Sequence, residues 1–501
     1  MTSKKAILKK TAVKKTAAKK KPVAAKKRVA AKVAAPAPST PVSAARMPRK
    51  GEVRIRMYRQ GLGDCFLLTF DSGKHILIDC GLLAGTPGGP SKIKEVAQHV
   101  KDTTDGKIDA MVVTHEHWDH VSGFTDARDI FEKLEIGETW VAWTEDPAQD
   151  IVVERRKANA VRMAAITGAV TRLGQSEHGD DQVRAGEIAQ TMSFLGGFDP
   201  SAPLGAFSQK TDDAMSWATD EKRKPKYWSP GDAIQPDWLP GVSVRVLGPP
   251  KDQKALKKMD GAIGTDMYGM AMRRDELGFA AAVGVSLDNT VKEWLPFDPG
   301  LQWKDERLWL GGFDPSFAAQ YRDNDWRRVD TEWLNSASDL ALQLDNAVNN
   351  TSLVLAFEFG DGGDVLLFVG DAQVGNWLSW AGESEDLLKR TIFYKVGHHG
   401  SHNATLKARG LEAMTHKDLV AAIPVDEVFA KGKRPIPWMM PADKLYETLE
   451  EKTKGRILRV DKDFPKVGDR PNALGPSEWK QFVNSVDVDK LFIDFFCKPK
   501  G

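Results

Sequence analysis

The chain has 501 residues, 41% hydrophobic and 28% charged, enough apolar material for a sizeable core in a water-soluble protein. No run approaches the roughly 18 apolar residues of a membrane helix, and the basic start lacks the apolar stretch of a secretory signal, so a cytoplasmic protein with no membrane partner is expected. Cys65, Cys80 and Cys497, with no CxxC pair, exclude a disulfide framework or a zinc knuckle and suit a reducing compartment.

The net charge of +2 conceals an asymmetry: residues 1–50 carry 16 Lys and Arg and no Asp or Glu, leaving 55 basic against 69 acidic residues elsewhere, a formal balance of −14. Residues 1–50 are Lys, Ala and Pro with almost no large apolar side chain, so a disordered tail is expected ahead of a domain over 51–501. The doublets Lys4-Lys5, Lys9-Lys10, Lys14-Lys15 and Lys19-Lys20 resemble linker-histone tails and suit loose, sequence-independent contact with nucleic acid. A solubilising tail or a cleaved targeting peptide are the competing readings.

From Gly51 the pattern becomes regular. Val53–Tyr58 alternates as a strand, Gly61-Leu62-Gly63-Asp64 turns the chain, and Cys65–Phe70 and His75–Asp79 read as further strands. A helix is expected over about Ser91–Val100, then a buried strand at Ala110–Thr114 that runs straight into His115-Glu116-His117-Trp118-Asp119-His120. A helix near Ile151–Leu173 and a strand at Val242–Leu247 precede a helical, Trp-rich insertion at about 251–336. Strands are expected at Ser352–Phe359, Val365–Val369, Ile392–Val396, Leu419–Pro424 and Arg456–Val460, with a helix near Ala442–Lys452. The fold class is α/β, with strand ends delivering polar clusters.

Six of the ten histidines fall in two clusters, each directly after an apolar strand: His115, His117 and His120, then His398, His399 and His402. Neutral imidazoles with a carboxylate are natural ligands of zinc-like ions. Alternate positions on a tight loop can face one ion while the adjacent Asp119-His120 pair faces a second. His75, His99 and His416 have no partner at ligand spacing.

His115-x-His117-x-Asp119-His120 after a strand resembles the metal motif of the metallo-β-lactamase superfamily, and other pieces follow in order. Asp79 in ILIDCG resembles the acidic position that orients the metal loop, Asp371 in LLFVGDA the aspartate bridging two metals, and His398 or His399 in KVGHHGS the late histidine ligand. The chain is most similar to the hydrolase domain attached to bacterial competence channels. The shared pieces are Gln60–Asp64, Asn349-Asn350-Thr351-Ser352, Gly370-Asp371-Ala372 and His398-His399-Gly400-Ser401. The resemblance implies a four-layer αββα fold and two divalent ions, zinc ahead of manganese, held by His115, His117, Asp119, His120, Asp371 and His398 or His399. It further implies hydrolysis with water activated between ions about 3.5–4 Å apart, Asp119 steering the nucleophile. Asp64, Asp79 and Ser401 would support the site, with Asn403 and Thr405 as further hydrogen-bonding groups, and His402 would supply a proton to the leaving group.

One departure stands out. Many relatives supply a further metal histidine between the second and fourth motifs, where this chain offers only His178, read as a surface-loop residue. The first ion would then be held by His115, His117, Asp371 and water, which would weaken its binding or favour manganese over zinc. Late in the chain Met440-Pro441 stands where such relatives tend to have His-Pro. The expected activity is a phosphodiesterase or nuclease. Hydrolysis of a small ester, thioester or lactone, or a non-catalytic role on DNA, are the alternatives.

Overall fold

The computed structural model describes residues 46–176, 179–196, 209–257, 334, 336–432 and 437–501. The Lys doublets of the tail, His178 and nearly all of the expected insertion lie outside the described residues. Residues Met47–Gly501 form one compact unit.

Fifteen strands among the described residues build two mixed sheets. The first contains β1 (Val53–Tyr58), β2 (Phe66–Phe70), β3 (His75–Ile78), β4 (Lys107–Val113), β5 (Glu135–Ala142) and β6 (Pro225–Trp228), with β14 (Val486–Val488) and β15 (Phe492–Cys497) added beyond β1. The second contains β7 (Ala233–Ile234), β8 (Val242–Gly248), β9 (Val354–Phe359), β10 (Val365–Phe368), β11 (Thr391–Lys395), β12 (Val420–Ile423) and β13 (Ile457–Arg459). In each sheet one half is parallel and the other antiparallel. β3, β4, β5 and β6 run parallel, as do β10, β11, β12 and β13.

The sheets face each other across one apolar layer. Val53, Ile55, Met57, Phe66, Leu68, Ile76, Ile78 and Val112 meet Val244, Val246, Leu355, Phe357, Leu366, Phe368 and Phe393 in a single cluster. Period-two alternation supplies that face. The helix Gly89–Thr103 covers the outer face of the first sheet, and helices Val374–Trp380 and Asp443–Thr453 pack on the second, completing the four-layer αββα fold.

Alternation in Val53–Tyr58 reads as one face inward and one toward water, yet both faces are buried. Arg54 and Arg56 are closed off beneath the helix. Arg56 meets this cost with a two-point ion pair to Asp494 of β15, at 2.7 and 2.6 Å, and by lying over the Phe492 ring. The alternation specified the sides of the strand; only the partner strand from the chain's far end made the polar side tolerable.

Beyond the sheets, helices Asp150–Gln175, Gly179–Thr191 and Ser336–Asn349 share a core of Ile166, Ala169, Leu173, Ile188, Leu340 and Leu344. Sequence patterning missed the last two helices, and it missed β5, β6 and β14–β15. Ser336–Asn349 leads directly into the Asn350–Leu353 segment and β9.

Candidate metal centre

The carboxyl ends of β3, β4, β10 and β11 converge on one point. β3 delivers Asp79, β4 delivers Thr114 and the His115–His120 loop, β10 delivers Asp371, and β11 delivers Lys395 and then His398-His399. Glycine permits the close approach. A Cβ on Gly81 would lie 2.1 Å from the carbonyl carbon of Asp119, and one on Gly63 would lie 2.7 Å from its oxygen. The backbone contacts Asp64 N to Asp119 O and Cys80 N to His120 O, both 2.9 Å, fasten the loop from the same side. Gln60 Nε2 donates to Gly63 O and Gly81 O, each at 3.0 Å, and so ties the two glycine turns together.

A chain of hydrogen bonds sets the histidine tautomers. Asp79 accepts from Thr114 N (2.8 Å), Thr114 Oγ1 (2.7 Å) and His120 Nδ1 (2.8 Å). Because the Thr114 hydroxyl spends its proton on Asp79, its oxygen accepts from His115 Nδ1 at 3.1 Å. His399 Nδ1 donates to Pro424 O at 2.9 Å. In each neutral ring the Nε2 lone pair is therefore left facing the centre. Those lone pairs face carboxylates: His399 Nε2 is 2.7 Å from Asp119 Oδ2 and 3.4 Å from Asp371 Oδ2, and His120 Nε2 is 3.2 Å from Asp371 Oδ2. Two acceptors that close require a cation between them, a proton or a metal.

Ligand atoms of Asp64, His120, Asp371 and His399 all lie within 4.8 Å of one another. His115 Nε2, His117 Nε2, His120 Nε2, Asp119 Oδ1, Asp345 Oδ1 and Asp371 Oδ2 are buried without a hydrogen-bond partner. Six such orphans in one place are costly unless something binds them. Burial, with the neighbouring imidazoles, pushes His115 well below its ordinary pKa, and burial pushes His117 down to about 3, so both are neutral donors. Asp64, Asp79, Asp119, Asp345 and Asp371 are five buried carboxylates, and the donor set of imidazole and carboxylate fits divalent ions.

The expected residues occupy different stations. His115, His117, Asp119, His120 and Asp371 line the centre, and His399 presents its Nε2 to it. His398 instead turns Nδ1 toward Gln373 and Asn403, at 3.2 and 3.3 Å, and its backbone N–H donates to Asp371 Oδ1 at 2.9 Å. Asp64 stands behind the ring, 3.8 Å from the Nδ1 side of His120 and 3.7 Å from that of His399. Ser401 is buried and links by backbone to His398 O, Thr405 meets Tyr394 Oη at 2.6 Å, and His402 is exposed in the following turn. Ser352 Oγ accepts from Asp371 N at 3.0 Å, which gives the Asn349–Ser352 motif a positioning role.

Two residues escaped sequence reasoning. Lys395 is fully buried and its Nζ reaches Asp64 Oδ2 (2.5 Å), Gly370 O (2.6 Å) and Asp371 Oδ1 (3.1 Å). Burial opposes its charge, but Asp64 and Asp371 hold the ammonium above its ordinary range. A lysine closing the apolar strand Thr391–Lys395, two residues before Gly397-His398, was the available signal. Asp345, on the helix Ser336–Asn349, places Oδ1 3.6 Å from His117 Nε2. Nothing in its local sequence marks it.

No curated protein matches the chain. Residues 58–141, which contain Asp64, Asp79 and the whole His115–His120 loop, match the family model of the metallo-beta-lactamase superfamily.

Proposed function

We propose that this protein is a metal-dependent hydrolase of phosphodiester bonds, acting on nucleic acid or a nucleotide-like substrate. The observation that carries the reading is the set of six buried, unpartnered imidazole and carboxylate atoms around Asp119, His120, Asp371 and His399. Two divalent ions held there would supply activated water and neutralise charge on the phosphoryl oxygens. His115 and His117 would hold one ion, Asp119, His120 and His399 the other, and Asp371 both. Asp79 and Thr114 keep the imidazoles in the ligating tautomer. Asp119 Oδ1, free of any hydrogen bond, orients the attacking water. His402, exposed on the loop after His399, gives the proton to the leaving oxygen.

The substrate class rests on the charge of the chain. The Lys doublets from Lys4 to Lys20 supply phosphate attraction that the acidic remainder, at −14, lacks.

The test pairs metal content of the purified protein with hydrolysis of bis(p-nitrophenyl) phosphate and labelled DNA, for wild type and Asp119→Ala. About two ions per chain, with metal-dependent cleavage lost in the variant, is the expected result. Two ions with turnover of esters or thioesters alone would move the substrate class; no bound metal and no activity after adding zinc or manganese would refute the reading.

A further inference from the structure

The strand β8 ends on the same side of its sheet as β10, in Gly248-Pro249, and offers no imidazole there. Among the described residues no histidine lies between His120 and His398. The space beside His117 is filled instead from the helix Ser336–Asn349. Asp345 is 7% exposed, and its Oδ1 has no hydrogen-bond partner. Asn349, one turn later on the same helix face, donates from Nδ2 to Oδ2 at 3.3 Å and leaves Oδ1 turned to His117. His117 Nε2 is likewise unpartnered.

We infer that Asp345 is a ligand of the first metal position, completing the set His115, His117 and Asp371 and biasing it toward a hard, oxygen-preferring ion such as manganese. Two ligand atoms at about 2.0–2.2 Å from one tetrahedral ion stand about 3.4 Å apart. Asp345 Oδ1 and His117 Nε2 are 3.6 Å apart, in keeping with a shared ion and too long for a direct hydrogen bond. Exchanging imidazole for carboxylate adds a negative, hard oxygen donor, which lowers the preference for zinc and related borderline ions. Asn403 Nδ2 donates to Asn346 Oδ1 at 3.3 Å, so the helix that brings Asp345 is also tied to the His398–Ser401 loop.

The inference rests on the two-metal reading above, and one experiment separates their failures. Metal-free wild type, Asp345→Asn and Asp345→His are titrated with Mn2+ and with Zn2+ by calorimetry, with stoichiometry checked by elemental analysis and folding by circular dichroism. Wild type should take two equivalents. Asp345→Asn should keep one and bind the other at least about 10-fold more weakly, with loss of the spin-coupled di-manganese resonance signal. Asp345→His should restore the second equivalent and shift the zinc-to-manganese preference toward zinc by about 10-fold or more. Two equivalents in Asp345→Asn at unchanged affinity would overturn the assignment while leaving the two-metal reading intact. No metal in wild type would overturn both. If Asp345→Asn does not fold, an unchanged zinc-to-manganese preference in Asp345→His overturns the assignment by itself.

Discussion

Replacing Gly81 with alanine places a methyl carbon where the His115–His120 loop already runs. That carbon would sit 2.1 Å from Asp119 C and 2.2 Å from both Asp119 O and His120 N, all backbone atoms that no side-chain rotation can clear. Ordinary carbon contacts begin near 3.5 Å, so the loop or the Asp79–Gly81 turn must shift by more than about 1 Å. The move would loosen the hydrogen bonds Gly81 N to Asp64 O and Cys80 N to His120 O, each 2.9 Å. A displacement of that size in a reacting constellation costs on the order of 100-fold in rate. Overpacking by one methyl costs about 1–3 kcal/mol of stability. The variant should therefore stay folded, with a urea midpoint reduced in proportion, yet lose metal affinity and about 100-fold in bis(p-nitrophenyl) phosphate turnover. Wild-type metal affinity and turnover in Gly81→Ala would refute the claim that this backbone contact aims Asp119 and His120.

Three other perturbations probe separate parts of the molecule. Asp79→Asn replaces one of the two oxygens that accept from Thr114 and His120 Nδ1–H with an amide donor; calorimetry should show metal affinity lowered by about 10- to 100-fold, and the metal-free protein should lose about 1–3 kcal/mol of stability. Lys395→Met strips the ammonium from between Asp64 and Asp371; chemical denaturation of the metal-free protein should show a loss of about 3–5 kcal/mol, and an unchanged midpoint would show that the ion pair is dispensable. His99 is held down to about pKa 4 by burial and then by Arg56, so it is neutral when folded and protonates more readily once unfolded. Between about pH 6.5 and 4 the unfolded chain binds the extra proton, and stability falls as pH falls through that window by about 2–3 kcal/mol at pH 4.5. His99→Gln should flatten this part of the acid slope; parallel midpoint-versus-pH curves for variant and wild type would count against it.

The legible part of this protein was what local pattern encodes. Apolar runs ending in polar clusters marked β3, β4, β10 and β11, and the observed strands lie within a few residues of those expected. The tight grouping of His115, His117, Asp119 and His120 marked the chemistry, because four ligand-type residues on six positions need no partner elsewhere to be noticed. Strands β5 and β6 were missed because Glu135-Ile136-Gly137-Glu138 and Pro225-Lys226-Tyr227-Trp228 are half-exposed and mixed in character. The β15 strand was missed because Phe492–Cys497 becomes an inner strand only by pairing with β1 across more than 400 residues.

The sequence by itself determined the donor types, the α/β class and the approximate strand ends, since these follow from residue chemistry and period; the αββα layering was only what the family resemblance implied. Tertiary structure alone decided which histidine of the pair faces inward. His399, at φ 50°, donates Nδ1 to Pro424 O and aims Nε2 at Asp119, whereas His398 turns to Gln373 and Asn403. It alone placed Lys395 between two carboxylates and swung Asp345 beside His117. The physical reason is common to all three. A side chain's role here depends on which buried acceptor or charge lies opposite it, and those partners come from distant segments whose proximity no local pattern records.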